Sequence, residues 1–273
     1  MAHVDPALTV EISGRRWRVG AQAYDLSIPL AFDGAQPSFF GAPRAAGTPL
    51  LAGSFVGDVN RGGSVNCSTH TLTPHCNGTH TECVGHITRE RVSVRDAAVD
   101  HLSVALLVTL SPAEASAEHR EVTQPGDRII TAALLAAAVA PHDLSDYSAL
   151  VVRTLPNDDT KRHRDYDLAG PAPYFTADAM RWIVQHGVQS LVVDLPTLDR
   201  ADDARLTTHR IFWGLPPGAT SAALAARPQA TVTELAYVAG AIADGPYLLN
   251  LQIAPFVADA APSRPVVLPL VPA

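Results

Sequence analysis

A helical pattern near the middle of the chain runs directly into a strand pattern, and this junction constrains the fold more than any other stretch. From Thr176 to His186 the residues read as a helix. Thr176 can cap it, Met180 and Ile183–Val184 supply an apolar face, and Gly187 gives the stop. Val188–Asp194 (VQSLVVD) follows at once as a strand. The alternation has a precedent upstream: a β-branched strand run at Val104–Leu110, a helix over Thr131–Val139 with Thr131 as its cap, and a buried-strand run at Ala149–Arg153. Hairpin-like pairs lie toward the ends. Leu8–Ile12 and Trp17–Val19 flank a Ser13–Gly14 turn, Tyr24–Leu30 is extended, and Tyr247–Ala254 and Pro265–Leu270 read as closing strands. Arg205–Trp213 fits a short helix. The expected class is α/β, with a mixed β-sheet and flanking helices rather than a regular doubly wound sheet.

Three stretches fall outside this alternation. Residues 31–64, rich in Gly, Pro and Ala, read as a long loop or lid. Residues 216–230 read as a surface loop or insertion, and the Pro-rich tail as an edge strand or a covering arm. With 273 residues, 47% of them apolar, the chain can bury a full core, and a single domain over 1–273 is expected. Net charge is −7 with no basic block, so a nucleic-acid partner lacks its positive footprint. No signal peptide and no run of about 20 apolar residues is evident, which points away from a membrane and toward the cytoplasm. The three cysteines, Cys67, Cys76 and Cys83, are too few and too clustered for a disulfide framework. Cys67 and Cys83 read as small core residues.

The chemistry concentrates between His70 and His86. Four of the eleven histidines fall here, with Glu82 between His80 and His86. Imidazole and carboxylate together are good ligands for Zn²⁺, Mn²⁺ and similar ions. Gly78, Thr79 and Thr81 disfavour a helix, so the segment is expected to be extended. His80, Glu82 and His86 then share one face, as does Cys76, while His75 reaches that face only if a bulge at Asn77–Gly78 resets the phase. His75 and Cys76 both stay open as the first ligand. His70 reads as an ordinary core or surface residue, and Trp182 as a helix residue of the core.

This segment resembles the H-x-G-T-H-x-D-x-P-x-H pattern of the cyclase family, which includes bacterial kynurenine formamidase (arylformamidase) and isatin hydrolase. The match runs through His75 or Cys76, Gly78–Thr79–His80, Glu82 in the Asp position and His86; Val84 takes the Pro position. Asp25–Leu30 (DLSIPL) is similar to the family's opening, Arg153–Thr154 to its R-T element, and Asp194–Asp199 (DLPTLD) to its D-x-P-S-x-D element. His209 and Glu234 correspond to its downstream metal ligands.

The resemblance implies a swivelling β/β/α-type domain, a homodimer or homotetramer, and a small-molecule substrate. It implies that His75 (or Cys76), His80, Glu82, His209 and Glu234 bind one or two divalent ions, Zn or Mn, with His86 as general acid/base. The implied reaction is attack of activated water on the carbonyl carbon of a (form)amide, cyclic amide or lactone. Phe39 and Phe40 are candidates to cover an aromatic substrate, and Asp194 and Asp199 to orient the loop that ends their strand. Three rival readings are a structural metal site or small-molecule binder on the same fold, a metal-dependent cyclase or dehydratase, and nucleophilic catalysis by Cys76.

Overall fold

The computed structural model describes residues 8–98, 102–116 and 123–273. Among these residues the main sheet has ten strands, of which nine are β1 (Thr9–Ile12), β2 (Arg15–Val19), β3 (His80–Glu82), β4 (Leu102–Leu110), β5 (Ala149–Thr154), β6 (Ser190–Val193), β7 (Thr231–Glu234), β8 (Gly245–Ile253) and β9 (Ala260–Pro272), and the tenth is the short Tyr24–Asp25 beside β9. The three longer helices that accompany them are α1 (Ala132–Val139), α2 (Ala177–Gln185) and α3 (Thr207–Trp213). The sheet is mixed, as expected. Strands β4, β5, β6 and β7 are parallel neighbours, and the remaining ladders are antiparallel. Following the pairings β9-β8-β4-β5-β6-β7-β3 returns to β9, so seven strands close into a barrel.

The period-2 rule explains how one run of Val and Leu serves two cores. In β5, Leu150 and Val152 face one cluster, while Ala149 and Val151 face the other. The first cluster holds Leu135, Met180, Ile183, Phe212 and Trp213 from the three helices. The second is built from strand residues such as Leu107, Val192 and Leu249, and fills the barrel. Thr131 and Thr176 cap α1 and α2 through their side chains, and Gly187 takes the left-handed conformation just past α2 at φ 81°.

The structure corrects several sequence expectations. The C-terminal segment is no edge strand or arm. β9 pairs in succession with β3, β8 and β2, and the hairpin β1–β2 is appended at its end. Pro265 and Pro269 use only their carbonyls in this pairing, accepting from the Leu26 N–H at 2.9 Å and the Gly20 N–H at 2.8 Å. Residues 31–64 are not structureless: Ala46–Pro49 pairs with Ser68–Thr71, and Leu51–Ala52 with Phe55–Val56. Cys67 lies in this outlying part and is exposed, not core. Residues 216–230 do more than cover the surface. Trp213 donates its indole N–H to the Ala230 carbonyl at 2.9 Å, and Arg210 reaches Ala219, so this loop holds α3 in place. Among the described residues no helix is long and apolar enough to cross a membrane.

The loop after β5 is pinned by a buried ion pair. Lys161 Nζ donates to Asp194 Oδ2 at 2.7 Å and to the Thr154 carbonyl at 2.6 Å, and both charged residues are buried. Removing one partner leaves the other charge desolvated and uncompensated. Asp194→Ala should therefore cost about 3–5 kcal/mol of unfolding free energy, read by urea denaturation. A loss below about 1 kcal/mol, the range of an exposed pair, would refute a structural role for this bridge.

Candidate metal centre

The centre begins with a cross-strand pair. His80 and Glu82 are two residues apart on β3 and so point to one face. In the antiparallel ladder Glu234 of β7 stands opposite His80, on that same face. Thr81 and Thr233 point the other way and share a hydrogen bond of 2.7 Å. Val232, opposite Glu82, belongs to the helix-side core, so the pair lies on the face where the helices pack. From there α3 brings in His209, whose Nε2 lies 3.0 Å from Glu82 Oε1 and 3.4 Å from Glu234 Oε1.

The residues before and after β3 take a different course from the extended segment expected. Pro74–Asn77 is a helical turn, not part of a bulged strand. Pro74 suits the first helical position because its fixed φ is already helical. Asn77, fully buried, accepts from the Thr73 N–H at 2.7 Å and donates to the Pro43 carbonyl at 3.0 Å. This turn, rather than a bulge, carries His75 to the site, with Nδ1 3.0 Å from Glu82 Oε2. After β3 the chain enters a short 3₁₀ turn, Val84–Ile87, so His86 arrives through that turn and not through strand parity. Thr79 ties the motif to both flanks: its hydroxyl accepts from the Ile28 N–H at 2.8 Å and donates to the Leu235 carbonyl at 2.5 Å. Leu235 itself sits at φ 52°, a conformation costly for a branched side chain, directly after Glu234.

Two imidazoles have their outer nitrogens tied down. His80 Nδ1 donates to the Gly78 carbonyl at 3.0 Å. His209 Nδ1 is bonded to Asp199 Oδ2 at 2.5 Å, and Asp199 also accepts from the backbone N–H and hydroxyl of Thr208 at the start of α3. Each ring therefore turns Nε2 toward the carboxylates. His80 Nε2, His209 Nε2 and Glu82 Oε1 are buried without a hydrogen-bond partner. The 3.0 Å approach of His209 Nε2 to Glu82 lacks hydrogen-bond alignment. Glu234 is oriented by the Leu198 N–H, which donates to its Oε1 at 3.0 Å.

The electrostatics show how strongly this cluster calls for positive charge. Burial works against a protonated His209, yet the charge of Glu82 and the bond to Asp199 hold its pKa well above the ordinary imidazole value. Burial likewise opposes charge on His75, but hydrogen bonds to Asp259 and Glu82 push it up to about 10. Glu82 is held well below the usual carboxylate range: burial raises it, and His86 and His209 outweigh burial. Orphaned donor atoms converging between carboxylates fit a divalent cation, which would replace protons as the counter-charge. Two donor groups have the compactness a cation needs, His75–Glu82–His86 and His80–Glu82–Glu234, with Glu82 common to both.

Of the residues singled out in the sequence, His75, His80, Glu82, His86, His209 and Glu234 come together here. His70 does not; it stacks on Phe32 at 3.9 Å on the outlying ladder. Cys76 is buried and its thiol is pushed up to about 11, chiefly by burial, which leaves it a poor nucleophile, and it belongs to neither compact donor group. Cys83 is a buried core residue, as expected. Phe39 and Phe40 part company. Phe39 is buried and lines a cavity of about 330 Å³ with Tyr166, Asp167, Thr197, Asp199 and Arg200. Phe40 is 60% exposed and is not among the residues lining that cavity. Sequence reasoning missed Asp259, which lies 2.9 Å from His75 Nε2 and 3.5 Å from His86 Nδ1. It is a lone acid in an apolar stretch far from the histidines in sequence, and no spacing announces it. Asp199 was expected to orient a loop; it orients His209 as well.

A model of the Cyclase family matches residues 24–200. No curated protein sequence matches significantly. Among solved structures, the fold is similar to isatin hydrolase A from Ralstonia solanacearum, at 16% identity and TM-score 0.59, covering 90% of this chain and 91% of that one. Isatin hydrolase A from Labrenzia aggregata, bound to benzyl benzoate, matches at 15% identity and TM-score 0.59, with 92% and 94% covered. A predicted metal-dependent hydrolase from Bacillus stearothermophilus matches at 15% identity and TM-score 0.57, with 90% and 98% covered. Identities this low speak for a shared fold.

Proposed function

The chain belongs to the cyclase family, and from that premise we propose that it is a divalent-metal-dependent hydrolase acting on a carbonyl carbon of a small metabolite. The observation that carries this reading is the set of buried, partnerless nitrogens of His80 and His209, held toward Glu82 and Glu234 by hydrogen bonds on their far sides. Metal-ligating histidines have this arrangement, with the outer N–H tied to a carbonyl or carboxylate. The proposed ligands are His75, His80, Glu82, His209 and Glu234, for one or two ions of Zn²⁺ or Mn²⁺. Glu82 belongs to both donor groups, so it would help to hold an ion at either one.

A bound divalent ion would supply polarisation of the carbonyl and a water whose pKa falls toward ~7. The protein's own contribution is then to hold and move protons. His86 is the group for this. Its Nδ1 stands 3.8 Å from Glu82 and 3.5 Å from Asp259, and its side chain is 28% exposed, whereas His80 is sealed. It can therefore exchange protons with solvent and deliver one to a leaving nitrogen or oxygen. The proposed substrate is a formamide, amide, cyclic amide or lactone. The cavity lined by Phe39 and Tyr166 beside Asp199 would accept its flat, apolar part.

The test is elemental analysis of gently purified protein, paired with formamide and cyclic-amide hydrolysis before and after chelation. One or two equivalents of Zn or Mn and chelator-sensitive hydrolysis are expected. Metal-free protein in which neither Zn²⁺ nor Mn²⁺ restores hydrolysis would remove the proposal and leave only the fold.

A further inference from the structure

Of the three proposed ligand histidines, one is turned the opposite way from the other two. His80 and His209 tie back Nδ1 and present Nε2, whereas His75 ties back Nε2, to Asp259 Oδ2 at 2.9 Å, and presents Nδ1 to Glu82 Oε2 at 3.0 Å. The His75 ring thus separates the Asp259 and Glu82 carboxylates. Building on the metal reading above, we propose that Asp259 is a positioning residue that fixes Nδ1 of His75 as its metal-facing atom.

The backbone places Asp259 for this task. Its carbonyl accepts from the Cys83 N–H at 3.0 Å, and the next residue, Ala260, stands opposite Glu82 in the β3–β9 ladder. Asp259, the residue just before β9, is therefore held beside Glu82 by the ladder that begins at Ala260. Gly85 leaves room for the approach: a Cβ there would fall 3.2 Å from Asp259 Cβ and 2.3 Å from the Val92 carbonyl oxygen. The Asp259 side chain is 39% exposed, so it stays ionised at little desolvation cost while holding a partly buried ring. The device also answers a problem of the sequence. His75 sits on a helical turn next to a buried, poorly ionising Cys76, and without an outer partner either nitrogen of its ring could face inward.

The test is Zn²⁺ titration of metal-free wild type, Asp259→Ala and Asp259→Asn against a competing chromophoric chelator. Asp259→Ala should keep the stoichiometry and lose about 10–100-fold in affinity, the usual cost of removing a partner of a ligating histidine. Asp259→Asn should fall between, because its side-chain oxygen still accepts from Nε2–H without the negative charge. Wild-type affinity in Asp259→Ala overturns the inference. So does loss of a whole equivalent at saturating Zn²⁺, which would make Asp259 itself a ligand. A wild type that binds no Zn²⁺ fails the metal reading first and takes this inference with it.

Discussion

Glu82→Gln should empty the centre of metal and abolish hydrolysis. The two oxygens of Glu82 face two histidines, Oε2 at 3.0 Å from His75 Nδ1 and Oε1 at 3.0 Å from His209 Nε2. An amide keeps the shape but turns one of these oxygens into an N–H donor and removes the charge. Whichever histidine meets the N–H then faces a donor where a shared cation should sit. Glu82 also belongs to both compact donor groups, so no half-site survives its loss. The affinity should fall well beyond the ~10–100-fold cost of losing an outer partner. Thermal melts give an independent readout. Metal at 100 times its Kd should stabilise the wild type by about 2.7 kcal/mol and leave the variant unmoved. A variant with full metal content and wild-type turnover would contradict the assignment of Glu82 as the shared ligand.

His86→Ala should produce the opposite split, with metal retained and turnover down by about 10²–10⁴-fold. His86 Nδ1 lies farther from Glu82 than His75 Nδ1 does, 3.8 Å against 3.0 Å, and its ring is partly open to solvent. Such a position suits proton transfer better than ligation. His86 also completes one compact donor group with His75 and Glu82, so the variant discriminates sharply. If His86→Ala loses an equivalent of metal, His86 is a ligand and the proton must be carried by another group.

The sequence disclosed the elements whose signal is local. The caps at Thr131 and Thr176, the stop at Gly187 and the run in β5 each depend on neighbours a few residues away, and each formed where the pattern placed it. The same holds for the His80–Glu82 pair, because strand parity alone puts both on one face. Parity failed within three residues of the strand on either side. Pro74 starts a helical turn and Val84 a 3₁₀ turn, so His75 and His86 reach the site by routes that alternation does not describe. The tail was misjudged for a related reason. Prolines argue against a strand paired on both sides, and only the change of partner along β9 shows where they fit.

What the sequence determined by itself was the chemistry available: a short stretch with more imidazole and carboxylate than a core would carry, in an α/β frame. What tertiary structure alone decided was which way each ring faces and what shares it. Barrel closure puts β9 against β3, and this brings Asp259 beside His75; the packing of α3 puts His209 over Glu82, with Asp199 behind it. Orientation of this kind comes from hydrogen bonds between residues distant in sequence, whose partners are set by sheet register and helix packing. A linear pattern lists the donors, but only the closed barrel aims them.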